Sequence, residues 1–358
     1  MRVRISLVIA ATCCVVYWCC QTGASSAASI PWVSGDAVKN ALVQRTSDRP
    51  HKKRYVLLHS LNSDWELDYI VKDVMDDGTS YEKEVVLWNQ KEGRNFSFLQ
   101  DFRKEVGERP LAIGLSVNVL SCWEVENMLR ILQPTVVFVL GDELKNEYCK
   151  HNAAVQFGRV VFRQYNVPPF GYRKPYHLMI LGTKTNTFQG AVRGHSVKPP
   201  SERQFVWRHI GNVQKSDRGE MVRALSTILW NSILPTAIPE KEVQAIYEDS
   251  VFVPVGRGHQ NLDCFRLYEA LRAGAIPIVV GSEAEILKTF TGRPGWKGLP
   301  PMVVGTSWND AAKNAKTLLG DAVALLQLQR KTAAYFDSVT MALRKLFFDA
   351  IGQHYKGV

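Results

Sequence analysis

The stretch Val251-Phe-Val-Pro-Val-Gly-Arg-Gly-His-Gln-Asn-Leu-Asp-Cys-Phe-Arg-Leu-Tyr-Glu-Ala-Leu-Arg-Ala-Gly-Ala-Ile-Pro-Ile-Val-Val280 reads as a strand, a glycine-bearing loop, a helix and a second strand. The apolar run Val251–Val255 is too short for a helix, whereas from Asp263 to Ala273 apolar residues return at helical spacing. Such a crossover belongs to an open parallel sheet, and ligands bind beyond the carboxyl ends of its strands, where Gly256, Arg257 and Gly258 fall. Asp263 is placed as the N-cap of the helix. The amino end of that helix offers unpaired N–H groups and a positive dipole, which suit a diphosphate. Arg257 and Arg266 add fixed charge with bidentate geometry. Asp263, Arg266 and Glu269 are spaced by three along one face and can converge on one ligand, with Glu269 the natural partner of ribose hydroxyls. The same spacing is also that of a helix salt bridge between Arg266 and Asp263 or Glu269, and the residues taken alone favour that simpler reading.

Outward from this segment the alternation continues. Toward the amino end, Tyr55–Leu58, Val85–Trp88, Leu111–Val117, Val136–Leu140, Val160–Phe162 and Leu178–Leu181 are expected strands, and Trp123–Leu132 has helical spacing. Toward the carboxyl end, a strand at Phe205–Ile210, a helix at Arg218–Leu229, a weaker strand at Met302–Val304 and a long amphipathic helix from about Asp321 to Phe348 form a second series. Short apolar strands separated by helices indicate parallel sheets covered on both faces, a doubly wound α/β arrangement. Arg193–Arg203 is rich in Pro, Ser and basic residues without apolar pattern and is placed between two domains. The expected organisation is an export segment over 1–28, a stem over 29–53, α/β domains over 54–195 and 196–320, and a terminal helix over 321–358.

Gly256-Arg257-Gly258, Asp263, Phe265-Arg266, Tyr268-Glu269-Ala270, Ala273-Gly274 and Ile276-Pro277 together resemble the donor-binding segment of exostosin-like glycosyltransferases, glycosyltransferase family 47 and its relatives. Val136-Val-Phe-Val-Leu-Gly-Asp-Glu143, Val161-Phe-Arg-Gln-Tyr165 and Ile180-Leu-Gly182 look like the acceptor-domain pattern of the ribitol xylosyltransferase-like branch. Phe205-Val-Trp-Arg-His-Ile-Gly-Asn212 looks like the first strand and loop of the donor domain. The resemblance covers roughly residues 134–280, and residues 54–130 lie outside it. One departure is Ile180-Leu-Gly-Thr183, where relatives more often carry a Pro-Leu-Gly-aromatic turn.

The resemblance implies a GT-B fold, two Rossmann-like domains facing a cleft. It implies transfer of a sugar from a nucleotide sugar, a UDP-sugar, to a glycan or glycoprotein acceptor by direct displacement with inversion; the absence of an Asp-x-Asp motif adds the expectation that no metal takes part. Arg257 and Arg266 then hold the diphosphate and Glu269 the ribose, with Arg208, Gly211, Gly256, Gly258 and Asp263 completing the donor site. A base deprotonates the acceptor hydroxyl while arginine charge and the helix end stabilise the departing nucleotide. Asp142 and Glu143 are the candidate bases, and a cap on the next helix accounts for them equally well. His209, beside Arg208 at a strand end, and His59 are further candidates for the cleft. No Asp-x-Asp metal motif occurs, and the acidic cluster Asp73, Asp76 and Asp77 reads as a solvated turn before Gly78. No cofactor beyond the nucleotide-sugar co-substrate is expected.

Arg2 and Arg4 precede an apolar run, Ile5–Cys20, and a small-residue stretch, Thr22–Ser29, as in an export signal. Retained as an anchor, it leaves the basic end in the cytosol and the body in the lumen of the Golgi or ER; cleaved after small residues such as Ala24 and Ser26, or Ser26 and Ala28, it releases the body. The membrane is thus an expected partner through this segment. Four of the seven cysteines lie in it, leaving Cys122, Cys149 and Cys264 for the body. Either Cys122 pairs with Cys149 or all three are buried thiols. Asn95-Phe96-Ser97 is a glycosylation sequon. The net charge of +10 comes without the aromatic interleaving of a single-strand groove, so no nucleic-acid partner is expected. Two alternatives accompany this reading. A catalytically inactive GT-B partner subunit would share every feature of the fold. An NAD-binding oxidoreductase would need a glycine where the third fingerprint position holds Asn261.

Overall fold

The computed structural model describes residues 53–60, 65–76, 81–89, 96–143, 147–166, 176–188, 197–228, 233–234, 238–258 and 261–355. The expected export segment, nearly all of the stem, and Asn95 of the sequon lie outside these residues.

The strands in chain order are β1 (Lys53–Ser60), β2 (Tyr81–Trp88), β3 (Leu111–Ser116), β4 (Val136–Leu140), β5 (Val160–Arg163), β6 (Tyr176–Leu178), β7 (Phe205–Trp207), β8 (His209–Ile210), β9 (Ile233–Leu234), β10 (Ser250–Pro254), β11 (Ile276–Val280) and β12 (Val303–Gly305). The first six form one sheet in the order β2-β1-β3-β4-β5-β6, parallel throughout. A second parallel sheet runs β12-β11-β10-β7, and β8, which follows β7 after Arg208, pairs in parallel with β9. All of β3, β4 and β10 is buried, as strands covered on both faces require. The chain leaves β8 for β9 and then crosses to β10, so the strand order reverses between β8 and β10. That switch point is where an open parallel sheet takes its ligand.

The helix Ala322–His354 joins the two halves. Asp321 caps it by accepting from the N–H groups of Val323 and Ala324 at 3.1 and 2.9 Å. Its first half lies on the Phe265–Arg272 helix, and its second half returns to the first sheet, where Phe347 packs against Tyr55 and Phe138 at ring separations of 5.4 and 6.1 Å. Phe347 is fully buried, which contributes roughly 2 kcal/mol. Sequence spacing placed the end of this helix near Phe348, one and a half turns early.

Three expectations meet corrections here. Asp73 is no solvated turn: it is fully buried in a π-helical segment, Tyr69–Val74, where its Oδ2 accepts from Arg272 at 2.7 Å and its carbonyl accepts from Arg344. Burial raises its pKa to about 6 against the pull of Arg272 and Arg344. Arg203, placed in a linker, is buried and donates to the carbonyls of Lys198, Tyr247, Ser250 and Ala273, four backbone acceptors that replace its water. The expected strand Leu178–Leu181 closes at Leu178, after which Met179, Ile180 and Leu181 are buried outside the sheet. Cys122 and Cys149 are bonded, with Cα atoms 5.6 Å apart, tying the Cys122–Leu132 and Tyr148–Phe157 helices together.

Candidate active site

After β10 the chain turns out of the sheet through Gly256, Arg257 and Gly258. A methyl group on Gly256 would come within 2.5 Å of Arg218 Cγ, so the loop passes close against the Arg218 stem, and one on Gly258 would meet the end of the Glu143 side chain, Oε1, at 2.8 Å. The loop is held from below. The N–H of Arg257 donates to Asp217 Oδ1 at 3.0 Å, and Asp217 Oδ2 accepts from the Trp308 indole at 3.0 Å. Arg218 donates to the carbonyls of Asn212 and Arg257, each at 3.1 Å. Sequence reasoning passed over Asp217 and Arg218. The available signal was their place at the start of the helix Arg218–Ile228, which follows the Gly211 turn at the carboxyl edge of the sheet.

The helix of the donor segment runs Phe265–Arg272, with Cys264 and not Asp263 at its cap position. Asp263 instead binds Arg293 Nη2 at 3.0 Å, and Arg293 also donates to the carbonyls of Gln164 and Met179 across the gap between the sheets. Arg293 is 4% exposed, and a buried guanidinium needs a buried carboxylate more than a helix end needs a cap. Asp263 therefore belongs to a clasp between the halves, and the expected row of three reduces to Arg266 and Glu269. These two form the helix salt bridge that the residues alone favoured, with Glu269 fully buried and the Arg266 side chain 27% exposed. Burial lowers the pKa of Arg266, but Glu269 and its other neighbours carry it above the ordinary value. Glu269 Oε1 has no hydrogen-bond partner among the described residues. Arg257 is bound by both oxygens of Glu285, with Nη2 at 2.8 Å, and Arg208 lies 3.8 Å over the Phe205 ring.

His209 is 1% exposed, and its Nδ1 lies 3.1 Å from the Pro254 carbonyl, which can only accept. Burial first, with Arg218 and Arg266 adding to it, lowers its pKa to about 4 despite the Pro254 bond. Gly211 follows at φ +148°, and a methyl group there would come within 3.3 Å of His209 Nε2. The structure thus gathers His209, Gly211, Arg218, Gly256, Arg257, Arg266 and Glu269 on the switch point between β8 and β10.

The facing edge of the first sheet differs. Asp142, expected to look into the cleft, is 3% exposed and accepts from His151 Nε2 at 2.7 Å, so the space beneath β4 claims it. Glu143, one residue on, is half-buried and lies against Gly258, while its carbonyl accepts from Asn261 Nδ2 at 3.1 Å. Behind it Glu66 accepts from Gln164 at 2.9 Å, and Gln164 accepts from the N–H of Gly141 at 2.9 Å. Burial, and after it Asp263, Glu143 and Glu66, raise the pKa of Tyr165. His59 is buried against Gly114 inside the sheet and takes no part in this edge. Trp65 is 56% exposed at the same lip, edge-on to Phe265 at 5.9 Å. Among the described residues no group of three or more His, Cys, Asp or Glu is placed to hold a metal ion, and no helix is long and apolar enough to cross a membrane.

The chain is thus an α/β protein of two parallel sheets, with arginines gathered at the strand-order switch of the second. No protein-family model matches the chain, and no curated protein matches it. Among solved structures it is similar to HepE of Anabaena in complex with UDP and glucose, with 11% identity, a TM-score of 0.53, and coverage of 84% of this chain and 100% of that one. T4 phage BGT in complex with UDP and Mn2+ aligns at 10% identity and a TM-score of 0.41 over 83% of this chain and 99% of that one, a likeness too remote to argue from. At such identities the HepE likeness shows the fold.

Proposed function

We propose that this chain is a glycosyltransferase that takes a sugar from a nucleotide sugar, a UDP-sugar, and transfers it to a hydroxyl of a glycan or glycoprotein. One observation carries this reading. At the switch point the fully buried Glu269 keeps one oxygen without a partner beside Arg266, which is a ribose-hydroxyl acceptor next to a diphosphate cation. HepE, of similar fold, was crystallised with UDP and glucose, which agrees with a donor of this kind.

In the proposed reaction Glu143 removes the proton of the acceptor hydroxyl. The oxygen attacks the anomeric carbon, the bond to the diphosphate breaks, and UDP leaves with the electron pair under the charge of Arg218, Arg257 and Arg266. Direct displacement inverts the anomeric centre, and arginine charge takes the neutralising part without a divalent metal. The reading includes an exostosin-like donor site that also draws on Arg208, Gly211, Gly256 and Gly258. It places the body in the lumen of the Golgi or ER behind the amino-terminal segment.

The test is thermal shift and donor hydrolysis by the full chain, with EDTA present, across UDP-xylose, UDP-glucuronic acid, UDP-galactose and UDP-N-acetylglucosamine. The expected outcome is stabilisation by UDP and hydrolysis of one donor. Absence of any shift with UDP or with any of these UDP-sugars counts against the reading.

A further inference from the structure

A nucleotide sugar has two hydroxyl-bearing rings, one on each side of a diphosphate. At the β8–β10 switch point this chain places two part-buried arginines, Arg218 and Arg266, with two buried acceptors, Glu269 and His209. Glu269 is bonded to Arg266. Arg266 and Arg218 are both close enough to His209 to act on its charge. His209 Nε2 and Glu269 Oε1 are both buried, each without a hydrogen-bond partner among the described residues. Two acceptors and two cations in one place are the chemical complement of a diphosphate that carries a hydroxyl-bearing ring on each side.

The state of His209 follows from its partner. The Pro254 carbonyl can only accept, so Nδ1 carries the proton, and in the neutral ring Nε2 presents a lone pair. A buried acceptor left unsatisfied costs about 1–3 kcal/mol, so the site favours a ligand that brings a donor proton to it. A diphosphate brings none, because its oxygens only accept near neutral pH. The ribose is met by Glu269 at the other end. Gly211 leaves the space beside Nε2 clear of any side chain of its own.

We infer that His209 is a specificity-determining residue of the donor site, its Nε2 accepting a hydrogen bond from a hydroxyl of the sugar to be transferred. This rests on the donor-site reading above and extends it to the residue that separates a nucleotide sugar from the bare nucleotide. It also explains a buried histidine at a strand end, where an apolar residue would pack at less cost.

The experiment compares UDP with the donor hydrolysed by the wild-type full chain, using isothermal titration for affinity and steady-state hydrolysis for kcat/KM. In His209→Asn the amide nitrogen can still donate to Pro254, but no acceptor remains at the Nε2 position. In His209→Gln the amide oxygen reaches that position. The expected result for His209→Asn is a UDP affinity within twofold of wild type and a fall in kcat/KM for the sugar donor of about tenfold, the range set by a lost hydroxyl contact. His209→Gln retains most of the wild-type value, and Glu269→Gln weakens UDP and the sugar donor alike. If His209→Asn loses UDP and sugar-donor affinity together at unchanged Tm, or loses neither, the role of His209 is refuted while the donor site stands. Wild-type protein that binds no UDP refutes the donor site itself. Should His209→Asn prove unstable, the Gln variant decides: a tenfold loss with the fold intact overturns the inference.

Discussion

The two sheets share one architecture and differ at their carboxyl edges. Along the first sheet the edge is acidic and closed on itself: Asp142 lies with His151, Glu66 with Gln164, and Glu143 alone of the candidate bases reaches the gap. Along the second the edge carries arginines, Arg257 paired with Glu285, Arg266 paired with Glu269 and Arg218 on the loop carbonyls, beside a buried histidine whose pKa is lowered. A parallel sheet supplies a platform without specifying a ligand, and the charge at its lip decides which half of a bimolecular reaction it serves. In the proposed reaction the leaving anion would fall to the second sheet and proton removal to the first.

The largest effect that can break this contrast concerns Glu143. Glu143→Gln is expected to lower kcat by about 10²–10⁴-fold, the usual weight of a general base, with UDP affinity unchanged. A matching fall in UDP affinity in titration calorimetry would move Glu143 to the anion side and dissolve the division.

Next comes the Arg266–Glu269 pair. An Arg266 that met only a diphosphate could be removed without harm to the fold, but Glu269 is fully buried and would be left as an uncompensated charge. Arg266→Ala is therefore expected to cost about 3–5 kcal/mol in denaturant unfolding, and the double variant Arg266→Ala with Glu269→Ala less than the single one. A single variant as stable as wild type would place the pair in solvent and remove it from the site.

The smallest effect is a pH dependence that separates the halves. Asp73, raised to about 6 and bound to Arg272, keeps its proton more tightly folded than unfolded, so its contribution to stability is full below about pH 4 and is lost as pH rises toward 6. His209, lowered to about 4, acts oppositely: its contribution is present above about pH 6.5 and is lost as pH falls toward 4. The two offset each other in wild type. Unfolding free energies between pH 4 and 7 should therefore rise more steeply with pH in Asp73→Asn and less steeply in His209→Asn than in wild type. Parallel curves for all three would show that neither group is buried as described.

The contrast also explains how much was legible in sequence. Strands at Val136–Leu140 and Ile276–Val280 were readable to the residue, because a strand covered on both faces must be a continuous apolar run. The helices Phe96–Val106, Glu240–Glu248, Glu283–Phe290 and Trp308–Leu319 were passed over, lying as amphipathic patterns among charged residues between stronger apolar runs. Tyr148–Phe157 has hardly any apolar face to read. At the site, spacing identified Arg266 and Glu269 as neighbours but could not supply Arg293, thirty residues beyond Asp263, whose need for a counter-charge took Asp263 out of the donor row. Asp142 and Glu143 are adjacent in the chain and only the depth of the strand end separates their fates. Arg218 and His209 act through backbone carbonyls, partners that no side-chain pattern announces.

Hydrogen exchange of the full chain with and without saturating UDP tests the division between the sheets most directly, because it reports on both edges at once. The account predicts slowed exchange in peptides spanning residues 208–218 and 254–269, at the switch point, with residues 111–143 unchanged. Protection confined to the 111–143 edge, or no protection at either edge, would contradict it.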